Sequence, residues 1–210
     1  MIMYTVLCLR CQYNIHIFLA LFWEAAMPRH SDPNLEGRII GAARKLWHKG
    51  GEKALSMRAV AKAAGTNTPA VYRRFRTREQ ILRALVKSYQ EELFRLVEPC
   101  RSLQEIAHCY LDFALHRPRE YQLIMSGLLA RMTKERPNVE FVLNRAAEWL
   151  GGSPGDHKGV VFAIWSLVHG IAMLRITGTL RDEDFPAARA AFAKSVDVLV
   201  ENGQRLRDDS

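Results

Sequence analysis

The run Ser56-Met57-Arg58-Ala59-Val60-Ala61-Lys62-Ala63-Ala64-Gly65-Thr66-Asn67-Thr68-Pro69-Ala70-Val71-Tyr72-Arg73-Arg74-Phe75 decides how this chain is read. It holds two short helical patterns with a glycine turn between them. Ser56 is placed as an N-cap, since its side-chain oxygen can accept from a first-turn N–H. Met57, Val60, Ala61 and Ala64 recur at spacings of three and four and give the first helix an inner side. Gly65 stops that helix, because glycine adopts the left-handed conformation of a C-terminal cap. Asn67 or Thr68 caps the second helix. Pro69 suits its first turn, where a missing N–H costs nothing. Val71 and Phe75, four apart, share its inner face.

Two short helices joined by such a turn make a helix-turn-helix. The arrangement has a specific use. A helix fits the major groove of B-DNA, where base edges carry a readable donor and acceptor code. Residues near the N-terminus of the second helix point at the bases. Here these are Thr68, Pro69 and Ala70. Tyr72, Arg73 and Arg74 lie further along and reach phosphates or base edges.

Flanking helices complete the module. Upstream, Leu35, Ile39, Ala42, Ala43 and Leu46 form one apolar stripe, ended by Gly50-Gly51. Downstream, Thr77-Arg-Glu-Gln80 fits a capping box and opens a helix running to about Val97, before Pro99. Some twenty residues of helix span roughly 30 Å, enough for a strut between domains. Arg78 stands in the first turn of that strut, where the helix dipole disfavours a cation. A nearby phosphate would relieve the cost, so Arg78 is a candidate backbone contact. The full candidate set for DNA is Ser56, Arg58, Thr68, Pro69, Ala70, Tyr72, Arg73, Arg74 and Arg78.

Charge supports the same region. The formal net charge is +8, and residues 28–98 carry 15 Lys+Arg against 7 Asp+Glu, which accounts for all of it. Residues 99–210 carry 14 of each and are neutral. A basic module beside a neutral one fits a chain of which only the first part meets a polyanion. A solvated basic face without a partner is the alternative.

The stretch Ile39–Ala84 resembles the DNA-binding domain of the TetR family of bacterial regulators. The matching residues are Ala42-Ala43, Leu46-Trp47, Gly50 or Gly51, the run Ser56 to Gly65, Pro69 to Phe75, and Thr77-Arg78-Glu79 with Ile81-Leu82. The resemblance implies that Ser56 caps its helix and touches phosphate, and that Tyr72 also touches phosphate. Departures are Thr66 for a usual valine, Asn67 for a frequent serine, and Arg74 for a common aromatic or histidine. They bear on which operator is read and leave the fold intact. Further on, Trp165-Ser-Leu-Val-His169-Gly170 resembles the W-x-x-x-H-G signature of one C-terminal class within that family. The segment Tyr110-Leu-Asp-Phe-Ala-Leu-His116-Arg-Pro118-Arg-Glu-Tyr121 is similar to one that class shows.

The larger half is helical throughout. Leu103, Ile106, Ala107, Tyr110, Leu111, Ala114 and Leu115 give one stripe, and Arg117-Pro118 breaks it. Tyr121, Ile124, Met125, Leu128 and Leu129 give a second, and 137–150 a third, closed by Gly151-Gly152. The run 158–176 is apolar nearly all round and must be buried on most sides. A last helix follows the acidic turn 182–184. Pairing the last two long helices across a two-fold axis would make a four-helix bundle. Dimerisation would also set two recognition helices about 34 Å apart, one helical turn of DNA. Tyr110, Phe113, Tyr121, Met125, Trp149, Trp165 and His169 are candidates to line a pocket for an apolar ligand. Plain core packing is the alternative, and His169 then needs a hydrogen-bond partner.

The first 27 residues differ. Ile17–Trp23 is wholly apolar but too short to cross a bilayer. A signal peptide and an upstream extension of the reading frame are both open, and Met27 is the preferred natural start. Cys8 and Cys11 form a lone C-x-x-C, short of the four ligands of a structural zinc. Cys100 and Cys109 read as buried small hydrophobes.

The expected architecture is therefore all-α. Residues 1–30 form an arm, 31–98 the helix-turn-helix domain and linker helix, 99–203 a helical regulatory and dimerisation domain, and 204–210 a polar tail. The expected function is sequence-specific transcriptional regulation. The chain would act as a cytoplasmic homodimer that represses at a double-stranded DNA operator and is released by a small-molecule effector. No cofactor, metal or membrane is expected. A non-specific nucleic-acid-compacting protein is the first rival; a helical enzyme is the second, though the sequence shows no G-x-S-x-G, P-loop or metal-spaced cluster.

Overall fold

The structure is a computed structural model that describes residues 32–127 and 137–206. The expectations for the arm, the Cys8–Cys11 pair, the Met27 start, Leu128 and Leu129 lie outside the described residues. Within them the chain forms nine α-helices and no strand. In chain order these are α1 (Leu35–Ala54), α2 (Met57–Ala63), α3 (Thr68–Arg74), α4 (Arg78–Val97), α5 (Leu103–His116), α6 (Pro118–Met125), α7 (Pro137–Leu150), α8 (Lys158–Ile176) and α9 (Phe185–Glu201). Short 3-10 turns, Pro154–His157 and Gly203–Leu206, precede α8 and follow α9.

Local chemistry explains most boundaries. The helical path of α1 breaks at Gly51, whose φ of 59° is left-handed and suited to glycine. The stripe of α1 is shifted slightly from expectation. Ile39, Ala42, Ala43 and Trp47 are buried, whereas Leu46 is only half-buried. Thr77 caps α4 by accepting from Gln80 N–H (3.2 Å). The return arm of the expected box differs: Gln80 Oε1 accepts from Arg76 N–H (2.6 Å), one residue further out. Ser102 and Glu105 repeat that arrangement at the start of α5, with Glu105 reaching Arg101 N–H (2.7 Å).

The C-terminal half packs around α5, which touches α4, α6, α8 and α9. Leu111, Ala114, Tyr121, Val160, Ala172 and Val196 are essentially inaccessible there. One helical segment among the described residues, Pro154–Ile176, is long and apolar enough to cross a membrane by length and composition. Its mean hydropathy is 1.8, yet only 28% of the apolar window is buried in the chain. The expectation of burial on most sides therefore fails for α8 within one copy. Phe162, Trp165 and Leu174 stand exposed on it, and Val198 on α9. Cys100 is buried and Cys109 half-buried, but they are not isolated in the core: their sulfurs lie 3.6 Å apart.

Candidate nucleic-acid interface

Each short helix of the quoted run is set by its caps. Ser56 Oγ accepts from Ala59 N–H at 3.2 Å and starts α2. At the other end Thr66 N–H reaches Ala61 O (3.0 Å) and Gly65 N–H reaches Lys62 O (3.3 Å). These two bonds, with Gly65 at φ 65°, make a Schellman termination. Asn67, not Thr68, is the N-cap of α3, accepting from Ala70 N–H at 2.9 Å. Phe75 closes the helix through its N–H to Val71 O (2.8 Å).

Burial divides α3 cleanly. Ala70, Val71 and Phe75 are 4%, 0% and 7% exposed and face the core. Pro69, Tyr72, Arg73 and Arg74 face outward, with Tyr72 49% exposed, and Thr68 is partly accessible. Ser56 and Arg58 are exposed at the start of α2. Eight of the nine candidates are thus exposed or partly accessible. Ala70 is the exception. Its methyl is turned inward, so its side chain supports the helix instead of meeting DNA.

Arg78 has partners within the protein that the sequence did not reveal. Its Nε donates to Leu55 O (2.8 Å), one Nη to Glu52 O (2.9 Å) and the other to Glu52 Oε1 (3.1 Å). All three nitrogens are engaged within the protein. The Glu52 carboxylate and two carbonyls relieve the dipole cost that a phosphate was expected to relieve. Arg78 is therefore a clamp on the 52–55 turn that leads into α2.

A further set of residues, invisible in the sequence pattern, joins the helix-turn-helix side to α6. Arg44 of α1 donates to Ser88 Oγ (2.7 Å) and pairs with Glu92 of α4, which also pairs with Arg117. Burial alone would raise the Glu92 carboxyl. The hydrogen bond from Arg44 and the charge of Arg117 outweigh it and hold the group below its ordinary value. Trp47 Nε1 donates to Arg119 O (3.2 Å), Arg119 donates back to His48 O (2.6 Å), and His48 Nδ1 lies 2.9 Å from buried Glu120. The partners lie 25 to 72 residues apart, so no local period reveals them.

The aromatic candidates of the C-terminal half come together only in part. Tyr121 OH lies 2.9 Å from His169 Nδ1, and its ring meets Tyr110 edge-on at 6.0 Å. Burial pushes the Tyr110 hydroxyl up to about 12, with a hydrogen bond donated by Trp165 pulling the other way. Phe113 instead lies beside Arg117, and Trp149 beside Arg145. Met125 is half-buried at the end of α6. Tyr110, Tyr121 and His169 pack on one another, and none of the seven candidates borders either of two cavities that open elsewhere. One, of about 640 Å³, is a groove between α8 and α9 lined by Ala163, Leu167, Lys194 and Val198 among others. The other, about 390 Å³, lies by His48, His116 and Glu120. Ser166 Oγ, at the groove between α8 and α9, donates to Phe162 O (2.8 Å). No group of three metal-binding side chains occurs among the described residues.

Comparisons with known proteins agree with this geometry. The family model described as bacterial regulatory proteins of the tetR family matches residues 39–85. A second, described as the tetracyclin repressor-like C-terminal domain, matches residues 103–199. No curated protein matches. Among solved structures, TetR from Acinetobacter baumannii AYE is 21% identical with a TM-score of 0.62, covering 81% of this chain and 97% of that one. A variant of that protein solved in complex with minocycline is 22% identical, with a TM-score of 0.61 and coverage of 82% and 98%. The protein SCO4942 from Streptomyces coelicolor is 23% identical, with a TM-score of 0.58 and coverage of 79% and 97%. At these identities the structures speak for the fold alone. The two family models between them take in both halves, and with the helix-turn-helix they show that this chain belongs to the TetR family and is a DNA-binding transcriptional regulator.

Proposed function

We propose that the chain acts in the cytoplasm as a homodimeric repressor of a near-palindromic operator, and that a small molecule releases it. Residues 31–98 form the DNA-binding domain with its linker helix, and 99–203 the regulatory and dimerisation domain. The observation that carries the reading is the division of α3, whose outer face presents Thr68, Pro69, Tyr72 and Arg73 while its inner face is locked in the core. Thr68 and Pro69 read base edges, and Ser56, Arg58, Tyr72, Arg73 and Arg74 hold the backbone. Dimerisation uses α8 and α9, because Phe162, Trp165, Leu174 and Val198 would otherwise leave a large apolar surface in water.

The effector acts on the C-terminal half. A multidrug binding protein of similar fold, EbrR, was solved complexed with imidazole, and the Acinetobacter variant with minocycline. In this chain Tyr110, Tyr121 and His169 supply polar atoms within an apolar setting, and a ligand must part their rings to enter. Binding that favours one spacing of the two recognition helices over another changes operator affinity by the same factor as ligand affinity.

Selection of bound sites from random DNA tests the reading. Enrichment of two inverted half-sites about one helical turn apart is expected. Uniform recovery of all sequences would favour non-specific compaction instead. Screening small molecules for release of the selected operator then identifies the effector. A compound that tightens binding would replace release with co-repression.

A further inference from the structure

Cys100 and Cys109 take no part in the interface or the aromatic cluster. Cys100 lies in the turn after α4, where its N–H donates to Val97 O (3.1 Å). Cys109 lies in the middle of α5. The fold brings these free thiols to a sulfur separation of 3.6 Å. Cys100 is 8% exposed, whereas Cys109 is half-buried. Burial, and then the neighbouring Cys109, push the Cys100 thiol up to about 12, so it stays protonated at neutral pH. A disulfide needs about 2.05 Å, so the sulfurs must close by about 1.5 Å. Closing the gap requires side-chain rotation and a shift of the turn.

We propose that Cys100 and Cys109 form a reversible dithiol–disulfide site whose oxidant is hydrogen peroxide. The accessible Cys109 sulfur attacks the peroxide O–O bond, giving a sulfenic acid and one water. Cys100 sulfur then attacks the Cys109 sulfur. The S–S bond forms, the S–O bond breaks, and the displaced hydroxide leaves as water with the Cys100 proton. Two thiols lose two electrons and two protons in all, and the peroxide is reduced to two waters. The bond ties the end of α4 to α5, so the strut behind the helix-turn-helix becomes covalently fixed to the bundle. The disulfide needs neither operator nor effector.

The test uses the full chain treated with hydrogen peroxide, then capped with iodoacetamide and digested with trypsin. Trypsin cleaves after Arg101, between the two cysteines. The expected product is the peptide ending at Arg101 joined to the peptide beginning at Ser102, separated again by dithiothreitol. Cys109→Ser should abolish it. The map of the unsubstituted protein decides the matter even if that variant folds poorly. Recovery of the two peptides unlinked, with thiols capped or Cys109 carried on to sulfinic acid, would overturn the proposal. So would linkage of either residue to Cys8 or Cys11 in place of each other.

Discussion

Arg78 and Arg73 look alike in sequence, two cations in a basic segment, but the fold gives them different work. Arg78 spends three donor groups on Glu52 and Leu55. Arg73 projects from the exposed side of α3. Arg78→Ala should therefore destabilise the chain by about 1–3 kcal/mol, because it strips partners from two carbonyls. Denaturant melts would measure that loss, and the salt slope of operator binding should stay the same once the folded fraction is corrected for. Arg73→Ala should do the reverse: unchanged stability, weaker binding to every sequence, and a salt slope shallower by about one. An unaltered slope for Arg73→Ala would remove it from the phosphate contacts.

At the level of elements, α3 is the marginal piece. Seven residues make about 10 Å of helix, far below the length at which an isolated helix is stable. Its caps and its inner face hold it. Asn67→Ala should cost about 0.5–2 kcal/mol, read by denaturant melts, and should weaken operator binding more than bulk stability. The caps were legible because they are local: Ser56, Gly65, Asn67 and Thr77 act within five residues of themselves. The α3 face was legible in Val71 and Phe75, four apart, but Ala70 was misplaced. A helix N-terminus points its first residues in several directions, and an alanine methyl gives no hint of which. The bridges from Arg44 to Glu92, Trp47 to Arg119 and His48 to Glu120 were not legible at all. They join elements whose relative placement is set only by the packed whole.

The molecule as a whole leaves apolar surface uncovered on α8 and α9. Val198 is 56% exposed and sits beside the groove between those helices. Val198→Asp should leave the helical content unchanged while halving the mass in sedimentation, with operator affinity falling by about two orders of magnitude as bivalency is lost. A dimer that survives this change would place the interface elsewhere. The pH profile is also a property of the whole. Tyr89 and Tyr110 are pushed up to about 12 by burial, and Tyr121 higher still. Their folded values lie above the ordinary 10, so the associated stability is complete below pH 10 and is lost as pH climbs towards 12. Glu92 is depressed, so its share is present above the ordinary carboxylate range and fades as pH falls through it. Tm should be flat from about pH 6 to 9 and drop on the alkaline flank. Tyrosinate absorbance should show Tyr89, Tyr110 and Tyr121 ionising late.

The two-sided character of α3 has a consequence for how such a protein can change. Ala70, Val71 and Phe75 answer to the interior, whereas Thr68, Pro69, Tyr72 and Arg73 answer to whatever lies outside. Because the two sets share a helix but no side chain, the outer set can be rewritten without disturbing the inner one. The chain thus behaves as a socket with an exchangeable key. A handful of substitutions on the outer face can redirect it to a new operator, and the stability that makes those substitutions survivable is stored on the other side of the same seven residues.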